Sequence, residues 1–183
     1  MAIHYRTPGF ILKKDNRGEA DQLFVIYTKD FGKLEVLGKA IRKIKSKLRS
    51  GTELFYLSEI EFIQGKAYKT LTDALVIKKF KNIRQNLEKL EVAYQIAIII
   101  DSLLIREEKD ENIWCLINEV FDKLENANSL KIIYYYFLWN LMVFLGYQID
   151  LYHCAVCQKK LSPQKLYFDA EENVVIDSSC FHK

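Results

Sequence analysis

The sequence has little of what marks a secreted, membrane-spanning or catalytic protein. Its first ten residues, MAIHYRTPGF, are not a charged start followed by an apolar run, so no secretory signal is expected. One long apolar stretch, residues 132–149, is a candidate membrane span. It carries Tyr134, Tyr135 and Tyr136 and is interrupted by Asn140 and Gly146. Tyrosine favours bilayer interfaces over the middle of a span, so the stretch reads as a buried helix. Cysteine is sparse, at four residues, and three of them lie near the end of the sequence. That usage fits a cytosolic protein with a metal site better than a disulfide scaffold.

Catalytic groupings are also missing. The three histidines, His4, His153 and His182, lie near no Ser or Cys arranged for nucleophilic catalysis. Glu59 and Glu61 share a strand face, which is the ordinary solvated side of a strand. Residues 32–40 resemble a phosphate loop superficially. Five residues rather than four separate Gly32 from Gly38, however, and Ala40 stands where Ser or Thr would bind magnesium. No internal repeat or low-complexity segment occurs. A non-enzymatic protein is expected.

Charge is what the sequence does have, and it is unevenly placed. The 183 residues are 50% hydrophobic and 28% charged, ordinary for a globular protein, with a net charge of +3. Residues 1–80 carry 16 Lys/Arg against 9 Asp/Glu, or +7, and residues 81–183 carry 11 against 15, or −4. A basic front suggests a polyanionic partner. The centre of that front is residues 32–51, GKLEVLGKAIRKIKSKLRSG, where no acid occurs between Glu35 and Glu53. Lys39, Arg42, Lys43, Lys45, Lys47 and Arg49 supply cations. Ile41, Ile44 and Leu48, at i, i+3 and i+7, predict one apolar face of a short helix. Such a helix docks by its apolar side and turns its cations to phosphates. The same pattern fits a solvated basic loop.

Period-two patterns predict strands in the first half. Residues 10–13 form a short strand, followed by a polar loop at 15–18. Residues 23–27 are apolar on both faces, as a buried barrel strand can be. Asp30-Phe31-Gly32 turns into residues 33–37. Residues 55–63 alternate again, Gln64-Gly65-Lys66 is a second turn, and residues 68–77 make a fifth strand. Five strands with a basic segment between the third and fourth predict a small closed OB-type barrel. Tyr27, Phe31, Tyr56 and Tyr68 are its candidate base-stacking aromatics, although burial is the commoner fate of any one of them.

Near Phe80 the period changes to about 3.6. Ile83, Leu87, Leu90, Tyr94 and Ile98 mark one helix running to about Ile105, where the charged residues 106–111 break it. Ile113, Leu116, Ile117, Val120, Phe121 and Leu124 mark a second. A third begins at Asn128 or Ser129 and stops at Gly146. Beyond it, Cys154-Ala155-Val156-Cys157 has the spacing of a zinc knuckle, with Cys180 further on. His182 is the nearest fourth ligand and His153 the weaker one. A zinc ribbon, complete or degraded, or a cysteine pair kept without metal, follows from this spacing. Lys159, Lys160 and Lys165 add a small basic patch beside it. The fold class is α+β and multidomain: an OB barrel at 1–79, a helical domain at 80–150 and a zinc-ribbon-like segment at 151–183.

The order of these features resembles the bacterial recombination mediator family RecO. The residues that carry the resemblance are Asp15-Asn16-Arg17-Gly18-Glu19-Ala20-Asp21, Tyr27-Thr28-Lys29-Asp30-Phe31-Gly32-Lys33 and Gly38-Lys39-Ala40 with Lys45-Ser46-Lys47-Leu48. Downstream come Leu145-Gly146-Tyr147, Asp150-Leu151 and the Cys154/Cys157 pair. The resemblance implies an OB domain, a helical domain and a zinc-binding element. It also implies binding to single- and double-stranded DNA, annealing of complementary strands, and help in loading RecA together with RecR on strands coated by single-strand-binding protein. A cytoplasmic, nucleoid-associated protein follows from the same likeness. Family members usually continue past the length seen here, and the fourth zinc ligand does not match. Two other readings fit the basic run: an RNA-binding OB protein, and an adaptor gripping an acidic peptide tail.

Overall fold

Five strands from the first half of the chain close into a barrel. A computed structural model describes residues 3–43, 46–65, 68–105, 107–126, 129–147, 150–162, 166–169, 171–172 and 174–181. The strands are β1 (His4–Arg17), β2 (Asp21–Thr28), β3 (Gly32–Gly38), β4 (Leu57–Ile63) and β5 (Lys69–Lys78). Around the barrel they run β1-β2-β3-β5-β4, and β4 returns to β1. The β3–β5 pairing is parallel, through Val36↔Lys69 and Leu37↔Thr70, and the others are antiparallel. This is the expected OB architecture. β1 is far longer than the four residues read from the sequence because it serves two partners. Residues 4–10 pair with β4 and residues 9–17 with β2, with a register shift between Ile11 and Lys13.

Side-chain alternation sorts the strands into an inner and an outer face. Ile11, Phe24, Ile26, Leu34, Val36, Ile60 and Phe62 fill the barrel. The outer face of β1 and β2 is not in water either. Phe10 packs against Phe80, Trp114 and Phe121 at centroid distances of 5.9, 5.6 and 5.0 Å. Leu23, Val25 and Tyr27 are likewise buried on that side, which is why β2 reads as apolar on both faces.

The covering layer is helical: α1 (Lys81–Gln85), α2 (Leu87–Leu103) and α3 (Glu111–Asn126), and α4 (Leu130–Phe144) follows them in the chain. The single helix predicted across residues 83–105 is two. Asn86, at φ −116° and ψ 120°, interrupts it and caps α2 by accepting the Lys89 N–H at 3.0 Å. Leu87, Leu90, Tyr94 and Ile98 all follow the break, yet α2 buries Ala93, Ile96, Ala97 and Ile100, because the helix is apolar on more than one side; Leu87 and Ile98, placed on the expected apolar face, are 81% and 62% exposed. α3 buries the residues expected of it together with Trp114. Its N-terminus is capped by Asp110, whose Oδ1 accepts the N–H groups of Asn112 and Ile113 at 2.8 and 3.1 Å.

The chain divides into two compact units, Met1–Leu138 and Trp139–Lys183, with the boundary inside α4. In the second unit α4 ends as predicted at Gly146, which takes φ +90°. Its N–H donates to the Val143 carbonyl and that of Tyr147 to the Met142 carbonyl, the paired bonds of a Schellman cap. The unit also holds an antiparallel hairpin, β6 (Leu166–Asp169) with β7 (Val174–Asp177). Among the described residues no helix is long and apolar enough to cross a membrane.

Candidate nucleic-acid interface and metal centre

The basic segment follows β3 and is pinned to the barrel mouth by its backbone. The Ala40 N–H donates to Asp21 Oδ1 at 2.7 Å and the Arg42 N–H to the Ala20 carbonyl at 3.0 Å. Ile41 is 1% exposed and joins the barrel core, with Leu48 partly buried against the same cluster. The apolar docking read from Ile41 and Leu48 therefore holds, but the continuous helix does not. Residues 39–42 form turns and Lys47–Gly51 a 3₁₀ helix, because the hydrogen bonds to Ala20 and Asp21 hold the first part in a turn. Ile44 and Lys45 lie outside the described residues. Lys39, Arg42, Lys43, Lys47 and Arg49 are all exposed. Among the described residues no carboxylate lies in ion-pair range of these five, so their charge is free to meet an anion. The Arg42 guanidinium donates to the Gly18 carbonyl at 3.4 Å.

The candidate stacking aromatics fare differently. Tyr27 is 1% exposed, and its hydroxyl donates to the Asp110 carbonyl at 3.5 Å; burial raises its pKa well above the ordinary phenol value. It cannot present a ring to a base, because the loop before α3 covers it. Phe31 is half-buried and edge-on to both Tyr5 and Phe62, at 5.7 and 5.5 Å, so its ring completes the core. Tyr56 lies under the Arg84 guanidinium at 4.8 Å. Tyr68 is 44% exposed.

These placements bear on which barrel face is open. OB folds commonly bind oligonucleotides on the face of strands 2 and 3. Here the outer side of β2 is buried, and Lys33 on β3 is held by Asp101 on α2. The outer face of β4 and β5 carries Glu59, Glu61 and Asp73. Arg6, His4 and Thr72 hydrogen-bond the Glu61 carboxylate at 2.7, 2.8 and 3.1 Å and hold its pKa down at about 2. That surface stays anionic at neutral pH. The basic mouth is the part of the barrel suited to phosphate.

In the second unit the Sγ atoms of Cys154, Cys157 and Cys180 lie within 4.8 Å of one another. Cys154 is buried, and a tight turn follows it, in which the Gln158 N–H donates to the Cys154 carbonyl at 2.8 Å. The Asp177 N–H donates to Cys154 Sγ at 3.4 Å. That donor, with the backbone N–H groups of Cys157 and Val156, lowers the Cys154 thiol to about 7, while hydrogen bonding to Cys157 raises that of Cys180. Convergent sulfurs with N–H groups aimed at a thiolate fit a soft tetrahedral cation such as zinc. His182, the expected fourth ligand, lies outside the described residues. His153 is not part of the cluster, since its Nδ1 pairs with Asp150 at 2.9 Å. The nearby Lys159 and Lys160 are exposed, and Lys165 lies outside the described residues.

Lys14 is the residue that sequence reading missed. It sits on β1 just before the Asp15–Asp21 stretch and outside it, and the fold brings it beside Arg49 and Arg42, far along the chain.

Comparison with known proteins matches this architecture along almost the whole chain. Residues 1–80 match the family described as recombination protein O N terminal, and residues 84–183 match recombination protein O C terminal. The DNA repair protein RecO of Dehalococcoides mccartyi is 31% identical over 176 residues, covering 96% of this chain and 70% of that protein. RecO of Moorella thermoacetica is 32% identical over 160 residues, covering 86% and 58%. That of Caldanaerobacter subterraneus subsp. tengcongensis is 27% identical over 156 residues, covering 85% and 63%. With the OB barrel, the helices and the cysteine cluster in the expected order, the chain belongs to the RecO family of DNA repair proteins.

Proposed function

We propose that this chain is a non-enzymatic mediator of recombination. It binds single- and double-stranded DNA through Lys39, Arg42, Lys43, Lys47 and Arg49, with Lys45 in the same run. It anneals complementary strands and, with RecR, assists loading of RecA on strands coated by single-strand-binding protein. The observation that carries the reading is the set of five exposed cations without carboxylate partners among the described residues, seated by Ile41 and Leu48 at the barrel mouth. Annealing asks only that both strands be neutralised and held close, so no catalytic group is required. Tyr27 has no exposed ring to offer, whereas the half-buried Phe31, at the turn between β2 and β3, stays with the cations as a candidate contact.

Cys154, Cys157 and Cys180 would hold zinc, with His182 as fourth ligand, and the ion would supply structural stability to the second unit. RecR and single-strand-binding protein are the protein partners of this reading, and the cytoplasm, at the nucleoid, is its compartment.

Charge reversal tests the interface. Lys39→Glu, Arg42→Glu, Lys43→Glu and Lys47→Glu together should weaken binding to single-stranded DNA without lowering the melting temperature. Each phosphate that the variant no longer neutralises should reduce the log–log salt slope by roughly 0.7. Unchanged affinity and slope would make the run a solvated loop. Preference for structured RNA, or for an acidic peptide, in competition would redirect the assignment.

A further inference from the structure

Two recesses adjoin on the first unit, and Lys14 lines both. The first, of about 480 Å³, is polar and is lined by Lys14, Asn16, Gln22, Arg42, Arg49 and Glu53, among others. Three cations there face one carboxylate, and that carboxylate is already engaged. Glu53 accepts from Lys14 Nζ at 3.0 Å and lies 3.7 Å from the Arg84 guanidinium. The Lys14 side chain is 16% exposed. Burial lowers its pKa, Glu53 opposes that, and Arg84 and Arg49 lower it further. Lys14, Arg42 and Arg49 against Glu53 alone leave the recess with more positive charge than its own groups neutralise. The second recess, of about 440 Å³, is mainly apolar, with Leu12, Leu54, Tyr94, Ala97 and Ile98 as walls and Asp101 and Ser102 at its rim. Glu53 lines one recess and Leu54 the other. Phe55, at φ +62°, follows them and is anchored on β1 by its N–H to the Ile11 carbonyl at 2.8 Å.

We propose that the two recesses together receive the phosphorylated terminal nucleotide of a DNA strand, the phosphate among Lys14, Arg42 and Arg49 and the base between Leu54, Tyr94 and Ile98. The inference rests on the DNA-binding reading above. Arg42 and Arg49 belong to the basic run assigned to the strand backbone, so a strand lying on that run ends naturally in this recess. A terminal phosphomonoester carries close to two negative charges at neutral pH, where an internal phosphodiester carries one. The excess of cations suits the former. A base can enter the apolar recess only when unstacked and unpaired, as at the end of a single strand.

The test uses the whole chain and an oligothymidylate carrying an internal dye. The strand is prepared with a 5′ phosphate, with a 3′ phosphate, with hydroxyls at both ends, or as a covalently closed circle. One of the two phosphorylated forms should bind about tenfold more tightly than the hydroxyl-ended strand, the worth of one added charge-assisted hydrogen bond. Lys14→Gln should remove that gain, so that phosphorylated and hydroxyl-ended strands bind alike, whatever it costs the circle and the hydroxyl-ended strand in common. Ile98→Trp, at an exposed position that asks nothing of the core, should fill the apolar recess and remove it as well. Equal binding of all linear forms, with the circle still bound, overturns the strand-end site and leaves the DNA-binding reading standing. Loss of every form, the circle included, overturns that reading and the strand-end site with it. If a peptide ending in acidic and apolar residues competes in wild type but not in Ile98→Trp, and a terminal phosphate adds nothing, the strand-end site is overturned and the recess is a carboxylate site.

Discussion

The ammonium group of Lys33, on β3, donates to the main-chain carbonyl of Asp101 on α2 and lies 3.5 Å from the carboxylate of the same residue. One buried side chain thus ties the barrel to its helical cover, and it satisfies an acceptor near the end of a helix, where carbonyls lack partners. Replacing Lys33 with Met keeps the length and apolar stem but deletes the donor. The expected loss is about 1.5–3 kcal/mol, the worth of a hydrogen bond to a charged group. A urea midpoint identical to wild type would show that the tie contributes nothing.

Gly18 and Gly32 share a left-handed backbone, at φ +57° and φ +63°, but not a setting. A Cβ at Gly18 meets nothing within 4 Å, whereas one at Gly32 would lie 2.0 Å from the Glu108 carbonyl oxygen. Gly18→Ala should cost about 1–2 kcal/mol from backbone conformation alone. Gly32→Ala should cost a further 1–3 kcal/mol or so, because the α2–α3 loop must also move. Equal thermal shifts for the two variants would show that the loop gives way freely.

Glu61 makes a pH prediction whose sign is fixed. Its folded pKa is depressed from 4.5 to about 2, first by the hydrogen bond from Arg6 and then by those from His4 and Thr72. The stability from this group is therefore complete above pH 4.5 and is lost as pH falls toward about 2. NMR titration should find the Glu61 carboxyl at about 2, and Arg6→Ala should bring it back toward the ordinary glutamate value. A normal pKa in the wild type would refute the cluster.

Elemental analysis should give close to one zinc per chain. Cys154→Ser with Cys157→Ser should release it and lower the melting temperature of the second unit, since structural zinc contributes directly to folding free energy. The same cooperative melt with and without the metal would remove zinc from the fold.

Much of this is legible in the sequence, and the losses share a cause. β3 and β4 can be read from alternation, the mouth from a run without acids, and the metal cluster from Cys154, Cys157 and Cys180. Each is a local pattern. Tyr27 looks like a stacking residue in sequence because its partner, Asp110, lies 83 residues away. The buried face of α2 is misplaced because Ala93, Ile96, Ala97 and Ile100 compete with Leu90, Tyr94 and Ile98, and in a helix apolar on more than one side periodicity does not say which side packs. Lys14 gives no signal at all, since its meaning comes from Arg49 and Glu53, which the barrel delivers from elsewhere.

The packing of Phe10 against Phe121 sets a timetable for synthesis. The five strands are complete at Lys78, yet the outer face of β1 finds its cover only when α3 has been made. At about 5–20 residues per second, a nascent chain waits a few seconds with Phe10, Leu23 and Val25 facing water. Ribosomes stalled where Lys78 has just cleared the exit tunnel should present a barrel that binds a hydrophobic dye, and those stalled where Asn126 has cleared it should not. Dye binding that is the same at both lengths would show that the barrel shelters these side chains by itself. The helical cover is thus also what the barrel waits for on the ribosome.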